Sequence, residues 1–313
     1  MITDTKTTIT GTTPATFLTP ATFLTPSTYR FTHRLRVRWV EVDMQKIVFN
    51  AHYLMYLDTA ISDYWRALAM PYAVAMADLG GDLYVKKATL QYHGSAHFDD
   101  QIDVALRCER IGTSSITFAG LISRAGAPLV TAELVYVFAN PVTQTSLPVP
   151  AIFRQMLNAF EAGETMAPVQ LGPWKTLEVQ AASVRQAVFV QELGVDAALE
   201  WDLADLTALH AVAINGLGQA IGTARMSRQG RGTVRIGRLA VVRALRGAGF
   251  GRQLLQALEQ AAGARGDREV TLHAQCSAQG FYERLGYLPR GNVFDEAGLP
   301  HMDMVKQLTS PIA

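Results

Sequence analysis

Helical periodicity in the first half of the chain is strongest from Asn50 onward. Apolar side chains recur there at three- and four-residue steps, which places them on one face of a helix. These residues are Leu54, Leu57, Ile61, Trp65 and Leu68. Asn50 stands where a helix cap is expected, after a predicted strand over residues 32–39 and a turn at 41–46. The pattern therefore predicts one long amphipathic helix close behind a strand.

Farther along, apolar and polar residues alternate with a period of two, which is typical of strands with one buried face. We predict strands over residues 102–109, 116–122 and 130–138, separated by turns at 110–113 and 124–128. A closing helix is expected over residues 151–160. One long helix combined with several antiparallel strands is an α+β pattern.

Residues 163–173 are rich in Gly and Pro and lack periodicity, as expected of a linker. The pattern then starts afresh. We predict a helix at 184–193, a strand pair over 211–226, a strand at 235–242, a helix at 252–265, a strand at 269–274 and a short helix at 278–285. The length of 313 residues also favours two domains, which we place at 29–162 and 174–308.

The first 28 residues differ from the rest because they are low in complexity. The block Pro14-Ala-Thr-Phe-Leu-Thr19 recurs at residues 20–25. So short a Thr/Pro repeat cannot bury a core, so residues 1–28 are expected to be a disordered tail. A docking peptide is the alternative.

Composition narrows the classes of partner. With 49% hydrophobic residues the chain can fill two cores, and a net charge of +1 gives no support for a nucleic acid or membrane-surface partner. No apolar run approaches the roughly 20 residues of a membrane helix. Cys108 and Cys276 fit neither a disulfide framework nor a metal-ligand spacing, which favours the cytoplasm. His93 and His97 lack a third ligand at a suitable spacing, so no metal site is expected.

The most specific chemical signal is a glycine-rich loop between a predicted strand and a predicted helix. It contains the spacing Arg246-x-x-Gly249-x-Gly251. Glycines let the backbone approach a pyrophosphate closely, and the amides at a helix start stabilise its charge. Neither a dinucleotide-binding G-x-G-x-x-G nor a Walker loop is present. The spacing alone leaves a plain strand–turn–helix connection open.

Taken with two other segments, this loop resembles the acetyl-CoA loop of the GNAT superfamily. Phe281-Tyr-Glu-Arg-Leu-Gly-Tyr287 resembles the superfamily's Phe-Tyr-x-x-x-Gly-Phe segment, and Val184-Arg-Gln-Ala-Val-Phe-Val190 is similar to the opening helix of one subgroup. The resemblance covers about residues 173–308. It implies an α/β fold with a mixed, mainly antiparallel sheet, and transfer of an acyl group from acetyl-CoA to an amine.

The resemblance also implies roles for individual residues. Main-chain groups of Leu239 and Val241 would meet the pantetheine arm. The pyrophosphate loop would comprise Arg246, Gly247, Gly249, Phe250, Gly251 and Arg252. Tyr282 matches the tyrosine that protonates the departing CoA thiolate, with a purely structural aromatic as the alternative. No motif identifies the base on the amine side, for which His210, Glu192, His301, Asp303 or a water relay are open.

The stretch from Arg36 to Asp58 resembles the hydroxybenzoyl-CoA thioesterase branch of the hotdog family, over about residues 29–161. This implies a long central helix wrapped by an antiparallel sheet. Asp43 falls on the family's catalytic carboxylate, which attacks the thioester or activates a water. Amides at 48–51 would hold the oxyanion, and Asn50 would position substrate or water if it is not merely a cap. The sequence departs from the family at Lys46, where a small residue or glycine is common.

The two resemblances together predict a bifunctional enzyme that hydrolyses one acyl-CoA and transfers an acetyl group from another. Hotdog domains pair because their sheets join at exposed edges, so a homo-oligomer is expected. One alternative makes the first domain a non-catalytic dimerisation or acyl-CoA-binding module. Another treats both domains as CoA-binding regulators without turnover.

Overall fold

The computed structural model describes residues 28–296 and 298–308, so residues 1–27 of the expected tail lie outside the described residues. The chain forms a five-stranded sheet in its first half and a seven-stranded sheet in its second. The predicted α+β class is confirmed. Among the described helices, none is both long and apolar enough to cross a membrane.

The first sheet is antiparallel throughout and has the strand order β1-β3-β4-β5-β2. Its elements are β1 (Phe31–Arg36), α1 (Asn50–Ala67), α2 (Tyr72–Leu79), β2 (Asp82–Tyr92), β3 (Gln101–Ile111), β4 (Ser115–Arg124), β5 (Ala127–Ala139) and α3 (Ala151–Glu161).

The central helix α1 lies on this sheet. Leu57, Ile61 and Trp65 of its predicted apolar face are buried, whereas Leu54 is 42% exposed because Tyr53 takes the buried position in that turn. A Cβ atom at Gly120 of β4 would lie only 2.8 Å from the Leu57 Cδ2 atom. Helix and sheet therefore approach so closely that a larger residue at 120 would force them apart.

Two elements of the first half do not appear in the sequence-based prediction, namely α2 and β2. The side chains of β2 show no alternation of buried and exposed positions, because the strand lies at an edge and is mostly exposed. The two-residue period that reveals other strands is therefore absent.

The second sheet has the order β11-β12-β10-β9-β8-β7-β6, and only β9 and β10 are parallel neighbours among its described strands. Its elements are β6 (Val169–Pro173), α4 (Trp174–Arg185), α5 (Ala197–Glu200), β7 (Leu209–Ile214), β8 (Ala220–Gly230), β9 (Thr233–Val241), α6 (Phe250–Ala264), β10 (Glu269–Gln275), α7 (Gln279–Glu283), β11 (Leu288–Glu296) and β12 (Leu299–Gln307).

Two segments of the second half differ from the sequence-based expectation. Residues 169–173, which fall in the predicted linker, form the edge strand β6 and pair with β7. Pro173 is tolerated because it ends a strand at the sheet edge, where its missing N–H costs little. The helix predicted at 184–193 is in fact the end of α4 followed by a π-helical stretch, Gln186–Glu192.

The two halves contact each other along the C-terminal end of α1. The Arg66 Nε atom donates to the Ala244 carbonyl oxygen at 3.2 Å. The buried Asn215 side chain, in the turn between β7 and β8, donates to the carbonyl oxygen of Ala69 at 2.9 Å. Gln219 adds a 2.6 Å hydrogen bond to Asp78.

Just before α1 the backbone makes a tight turn that begins at Asp43. The Lys46 amide donates to the Asp43 carbonyl oxygen at 3.0 Å, and the Asp43 amide donates to the Ile47 carbonyl oxygen at 2.9 Å. Lys46 has a φ of 64°, in the left-handed region that glycine favours. The departure from the family noted in the sequence thus falls on a position that constrains the backbone.

Lys46→Gly should raise the free energy of unfolding by about 1 kcal/mol, because glycine adopts this conformation without the clash at Cβ. Urea denaturation of the full chain measures the change. Lys46→Ala is the matched control, since it removes the charge and keeps the Cβ atom. An equal gain for both variants would show that charge, and not backbone conformation, is responsible.

Candidate active sites

The parallel strands β9 and β10 share register over only three residue pairs, which end at Arg235 and Thr271. Both strands continue beyond that point without further pairing to each other, although β9 still pairs with β8 and β10 with β12. On its other edge β9 bulges at Arg238, whose φ is 52°. Leu239 and Val241 therefore lie beside an opening between β9 and β10, and the Val241 carbonyl oxygen accepts a hydrogen bond from the Arg246 Nε atom.

The glycine-rich loop connects the end of β9 to the start of α6. Gly247 and Gly249 have φ values of 86° and 92°, and a Cβ atom at either position would meet nothing within 4 Å. Backbone conformation, and not space, therefore favours glycine at these two positions.

Helix α6 begins at Phe250, with Gly249 as its cap. The Gln253 amide donates to the Gly249 carbonyl oxygen at 3.1 Å. The amides of Phe250, Gly251 and Arg252 precede this bond and are the unpaired donors of a helix start. Together with the helix dipole they form an anion-binding position next to the opening.

The Arg246 side chain is already paired with other residues of the chain. Its guanidinium makes two 2.7 Å hydrogen bonds to the Glu192 carboxylate, and its Nε atom donates to the Val241 carbonyl oxygen at 3.1 Å. The hydrogen bond from Arg246 lowers the pKa of Glu192. In contrast, Arg252 is exposed and has no acidic partner within the described chain. Arg246 and Arg252 are the two arginines expected to bind phosphate, and of these only Arg252 has no partner among the described residues.

Tyr282 lies half-buried on α7, with its ring edge-on to Phe281 and Tyr287 at centroid distances of 5.0 and 5.9 Å. The Phe281 ring lies 3.4 Å from the Cβ position of Gly251, so α7 packs against the start of α6. Burial raises the pKa of Tyr282 to about 12. Within the described residues its hydroxyl has no hydrogen-bond partner, and the group is a protonated phenol at neutral pH.

An ion cluster of three guanidiniums and three carboxylates joins α4, α5 and the segment before β7 to β8 and β9, and three of its members, Arg185, Glu200 and Asp205, are buried. Its members are Arg185, Arg225, Arg238, Glu200, Asp202 and Asp205. Arg185 is 1% exposed and contacts Glu200 at 2.6 Å and Asp205 at 2.8 Å. Its guanidinium also lies over the rings of both Trp174 and Trp201, at 5.4 and 4.5 Å from their centroids.

The other two guanidiniums extend this ion cluster to β8 and β9. Arg225 contacts Asp202 at 2.6 Å, and Arg238 contacts the same carboxylate at 3.3 Å. Burial raises the pKa of Glu200. For Asp205 burial acts in the same direction, but hydrogen bonds from Arg185 and Arg225 outweigh it and lower the pKa.

The four candidate bases all make structural contacts, and the geometry selects none of them. His210 is buried, with its Nε2 atom 2.9 Å from the Asp205 carbonyl oxygen, and burial lowers its pKa. The His301 Nδ1 atom lies 2.9 Å from the Leu299 carbonyl oxygen, and Asp303 accepts a 2.8 Å hydrogen bond from Arg290. Glu192 holds Arg246, as described above.

In the first half, Asp43 is half-buried at the turn before α1, and its Oδ1 atom accepts a 2.8 Å hydrogen bond from the Gln45 amide. The amides expected to hold an oxyanion are only partly available. Those of Val48 and Phe49 donate to the carbonyl oxygens of Ala96 and Glu41, both at 2.9 Å. The first-turn amides of Asn50 and Ala51 remain.

Asn50 is not the helix cap that its position suggests. The cap is Phe49, no side chain caps the helix, and Asn50 is the first, exposed residue of α1. The Tyr92 hydroxyl of β2 donates to the Asn50 carbonyl oxygen at 3.1 Å. The Asn50 side chain therefore has no role in helix capping.

Sequence reasoning missed Glu41, a buried carboxylate beside the same turn. It is 2% exposed, accepts a 2.8 Å hydrogen bond from the Tyr56 hydroxyl and is paired with Arg38 at 2.6 Å. Burial acts to raise its pKa, but hydrogen bonds from Arg38 and Tyr56 outweigh that effect and lower it. The acid–x–acid spacing of Glu41 and Asp43 is the one signal that could have drawn attention to it.

Comparison with known proteins finds similarity to a different family in each half. The family described as "Acetyltransferase (GNAT) domain" matches residues 176–308, and the family described as "Thioesterase-like superfamily" matches residues 37–157. The described residues contain no group of three or more His, Cys, Asp or Glu placed to hold a metal ion.

Individual relatives agree with this division. The uncharacterised N-acetyltransferase YjcF of Bacillus subtilis is 36% identical over 124 residues, which cover 39% of this chain and 87% of YjcF. The crystal structure of Escherichia coli ElaA is 29% identical, covers 45% of this chain and 99% of ElaA, and gives a TM-score of 0.42. A Thermus thermophilus thioesterase crystallised with coenzyme A and Zn is 22% identical, covers 43% and 96% of the two chains, and gives a TM-score of 0.39. The identity and coverage of YjcF show that the chain belongs to the GNAT acetyltransferase family through its second half, while its first half is similar to the thioesterase-like superfamily.

Proposed function

We propose that the chain is a bifunctional enzyme of CoA thioesters, with acyl-CoA hydrolysis in the first half and acetyl transfer from acetyl-CoA to an amine in the second. The observation that carries the proposal is the set of unpaired amides at Phe250, Gly251 and Arg252, directly beyond the opening between β9 and β10. This combination offers a place for a pyrophosphate next to a place for an extended thioester arm.

In the transfer reaction, the amine nitrogen attacks the thioester carbonyl carbon and a tetrahedral intermediate forms. The attacking nitrogen loses a proton to water, the carbon–sulfur bond breaks and CoA leaves as a thiolate. Tyr282 is the proposed donor of a hydrogen bond to that sulfur, because its phenol, with a pKa of about 12, is protonated at neutral pH. A thiol with an ordinary pKa of about 8.5 is a tolerable leaving group, so the donor accelerates the step without being indispensable.

In the hydrolysis reaction, the Asp43 carboxylate either removes a proton from a water that attacks the thioester carbonyl, or attacks that carbon itself and forms an anhydride that water then opens. In both routes the carbon–sulfur bond breaks and CoA leaves as a thiolate. The amides of Asn50 and Ala51 at the start of α1 are the proposed donors to the oxyanion, assisted by the helix dipole. The Asn50 side chain is proposed to position the substrate or the water.

The hotdog half is also the proposed site of homodimerisation. Strand β2 pairs only with β5 and lies at the sheet edge, where Val85 and Tyr92 are 55% and 51% exposed. Pairing with a second copy would cover this edge. Because Tyr92 contacts the start of α1, the partner would lie close to the proposed hydrolysis site. The free cysteines Cys108 and Cys276 support a location in the cytoplasm.

One observation favours a second candidate function, in which the hotdog half only dimerises or binds acyl-CoA. Asp43 already accepts a hydrogen bond from the Gln45 amide within its own turn, and that turn carries Lys46 in a left-handed conformation. A carboxylate that only shapes the turn would leave the half without hydrolytic activity.

Asp43→Asn should lower acyl-CoA hydrolysis by at least about 100-fold, because the amide is neither a nucleophile nor a base. Thiol release from a panel of acyl-CoAs, without added amine, measures the effect. The matched control is Asp99→Asn, which removes an exposed carboxylate paired with Arg36 in the same half. Unchanged hydrolysis in Asp43→Asn would refute the assignment, and no hydrolysis in the parent would favour the binding module.

Tyr282→Phe should lower amine-dependent turnover by about 10- to 1000-fold and leave the KM for acetyl-CoA nearly unchanged, because the lost O–H acts mainly in the transition state. Amine-dependent thiol release is measured with a panel of primary amines on the Asp43→Asn background, which removes hydrolysis. The raised pKa also means that the parent's rate should show no loss from Tyr282 ionisation below about pH 11.

Tyr287→Phe is the matched control for Tyr282→Phe. The Tyr287 hydroxyl donates to Glu259 at 2.7 Å, so its loss should affect stability and leave turnover intact. If Tyr282→Phe turns over amines like the parent, the ring is structural and the proton comes from another group.

A further inference from the structure

A cavity of about 570 Å³ lies where the turn between β8 and β9 meets the turn between α6 and β10. It adjoins the C-terminal end of α6, whereas the glycine-rich loop precedes the N-terminal end. A helix of 15 residues is about 22 Å long, so the cavity is remote from the proposed acyl-transfer site.

The wall of this cavity carries charge mainly of one sign. The lining residues are Arg228, Gly230, Arg231, Gly232, Arg265, Gly266, Asp267 and Arg268. Four guanidiniums thus face one carboxylate. The net charge of the whole chain is only +1, so this is a local concentration of charge and not part of a generally basic surface.

One of these four arginines, Arg265, has a structural role. Arg265 makes a 2.8 Å ion pair with Asp267 and follows the C-terminal end of α6, where a cation is favourable. The side chains of the other three, Arg228, Arg231 and Arg268, are exposed and have neither an ion pair nor a hydrogen bond with any described residue.

The backbone holds the two turns together. The amides of Arg268 and Glu269 both donate to the Gly232 carbonyl oxygen, at 2.8 and 3.1 Å. Arg231 and Arg268 are therefore kept close together although their charges repel. A bound anion with several negative charges would attract both guanidiniums and offset the repulsion between them.

We propose that this arginine cavity binds a compact anion with several phosphate groups. Guanidinium groups pair with phosphate oxygens through two parallel hydrogen bonds, which suits a cavity lined by several of them. The lining residues include no aromatic or large apolar side chain on which a nucleobase could stack. The chemistry therefore favours an oligophosphate group itself over a nucleoside attached to it.

The test is calorimetric titration of the full chain with inorganic tripolyphosphate, in the presence of excess CoA to fill the proposed pyrophosphate site. The parent should bind one tripolyphosphate, more tightly than inorganic phosphate, and ATP should bind no more tightly than tripolyphosphate. Arg228→Gln combined with Arg231→Gln should weaken binding by at least about 10-fold, because charge-assisted hydrogen bonds are lost.

Arg34→Gln combined with Arg36→Gln is the matched control, since it removes the same charge from exposed arginines paired with Asp103 and Asp99. These variants should bind like the parent. Equal weakening in both double variants would attribute the effect to net charge and overturn the site. Affinity for tripolyphosphate no greater than for inorganic phosphate would also overturn it, as would tighter binding of ATP.

Discussion

Burial of the Arg185 guanidinium is the constraint on which the second half depends. A buried positive charge is tolerated only when carboxylates and other hydrogen-bond acceptors surround it. Here its partners lie on α5 and on the segment before β7, while Arg225 and Arg238 continue the ion cluster to β8 and β9. Removing the buried Glu200 carboxylate would leave the Arg185 charge undercompensated, at a cost of about 3–5 kcal/mol.

The same ion cluster is linked to the opening between β9 and β10. Arg238 belongs both to the cluster and to the bulge of β9, where its φ is 52°. The bulge shifts the pairing with β8 just before Leu239, whose main-chain groups lie at the proposed thioester position. Electrostatics in the interior and backbone geometry at the site are therefore linked through one residue.

The sequence pattern predicts those helices and strands that have one buried and one exposed face. The period of α1 and the alternation of β3, β4 and β5 are visible because each has one buried face. The edge strands β2 and β6 lack this alternation because most of their residues are exposed, so the sequence pattern predicts neither of them. The π-helical turn after Arg185 has no sequence signal either, because tertiary contacts decide where a helix widens.

In the candidate sites, the residues of contiguous motifs are predictable from the sequence, whereas contacts between distant residues are not. Gly249 and Tyr282 belong to contiguous motifs and could be proposed from sequence alone. The pairing of Arg246 with Glu192 joins residues 54 positions apart, and no spacing rule predicts it. The amides of Val48 and Phe49 are occupied by the carbonyl groups of Ala96 and Glu41, which only the folded chain brings near. Arg185 finds its carboxylates 15 and 20 residues away for the same reason.

The position of β6 has a consequence for where the chain can be cut. Residues 162–168 connect α3 to β6, and β6 covers one edge of β7 through residue pairs from Val169 to Pro173. A fragment that begins at residue 174 would lack this cover and would present the bare backbone of β7 to solvent. Such an edge is a template for intermolecular strand addition and aggregation. A recombinant second half that stays monomeric therefore has to begin upstream of Val169.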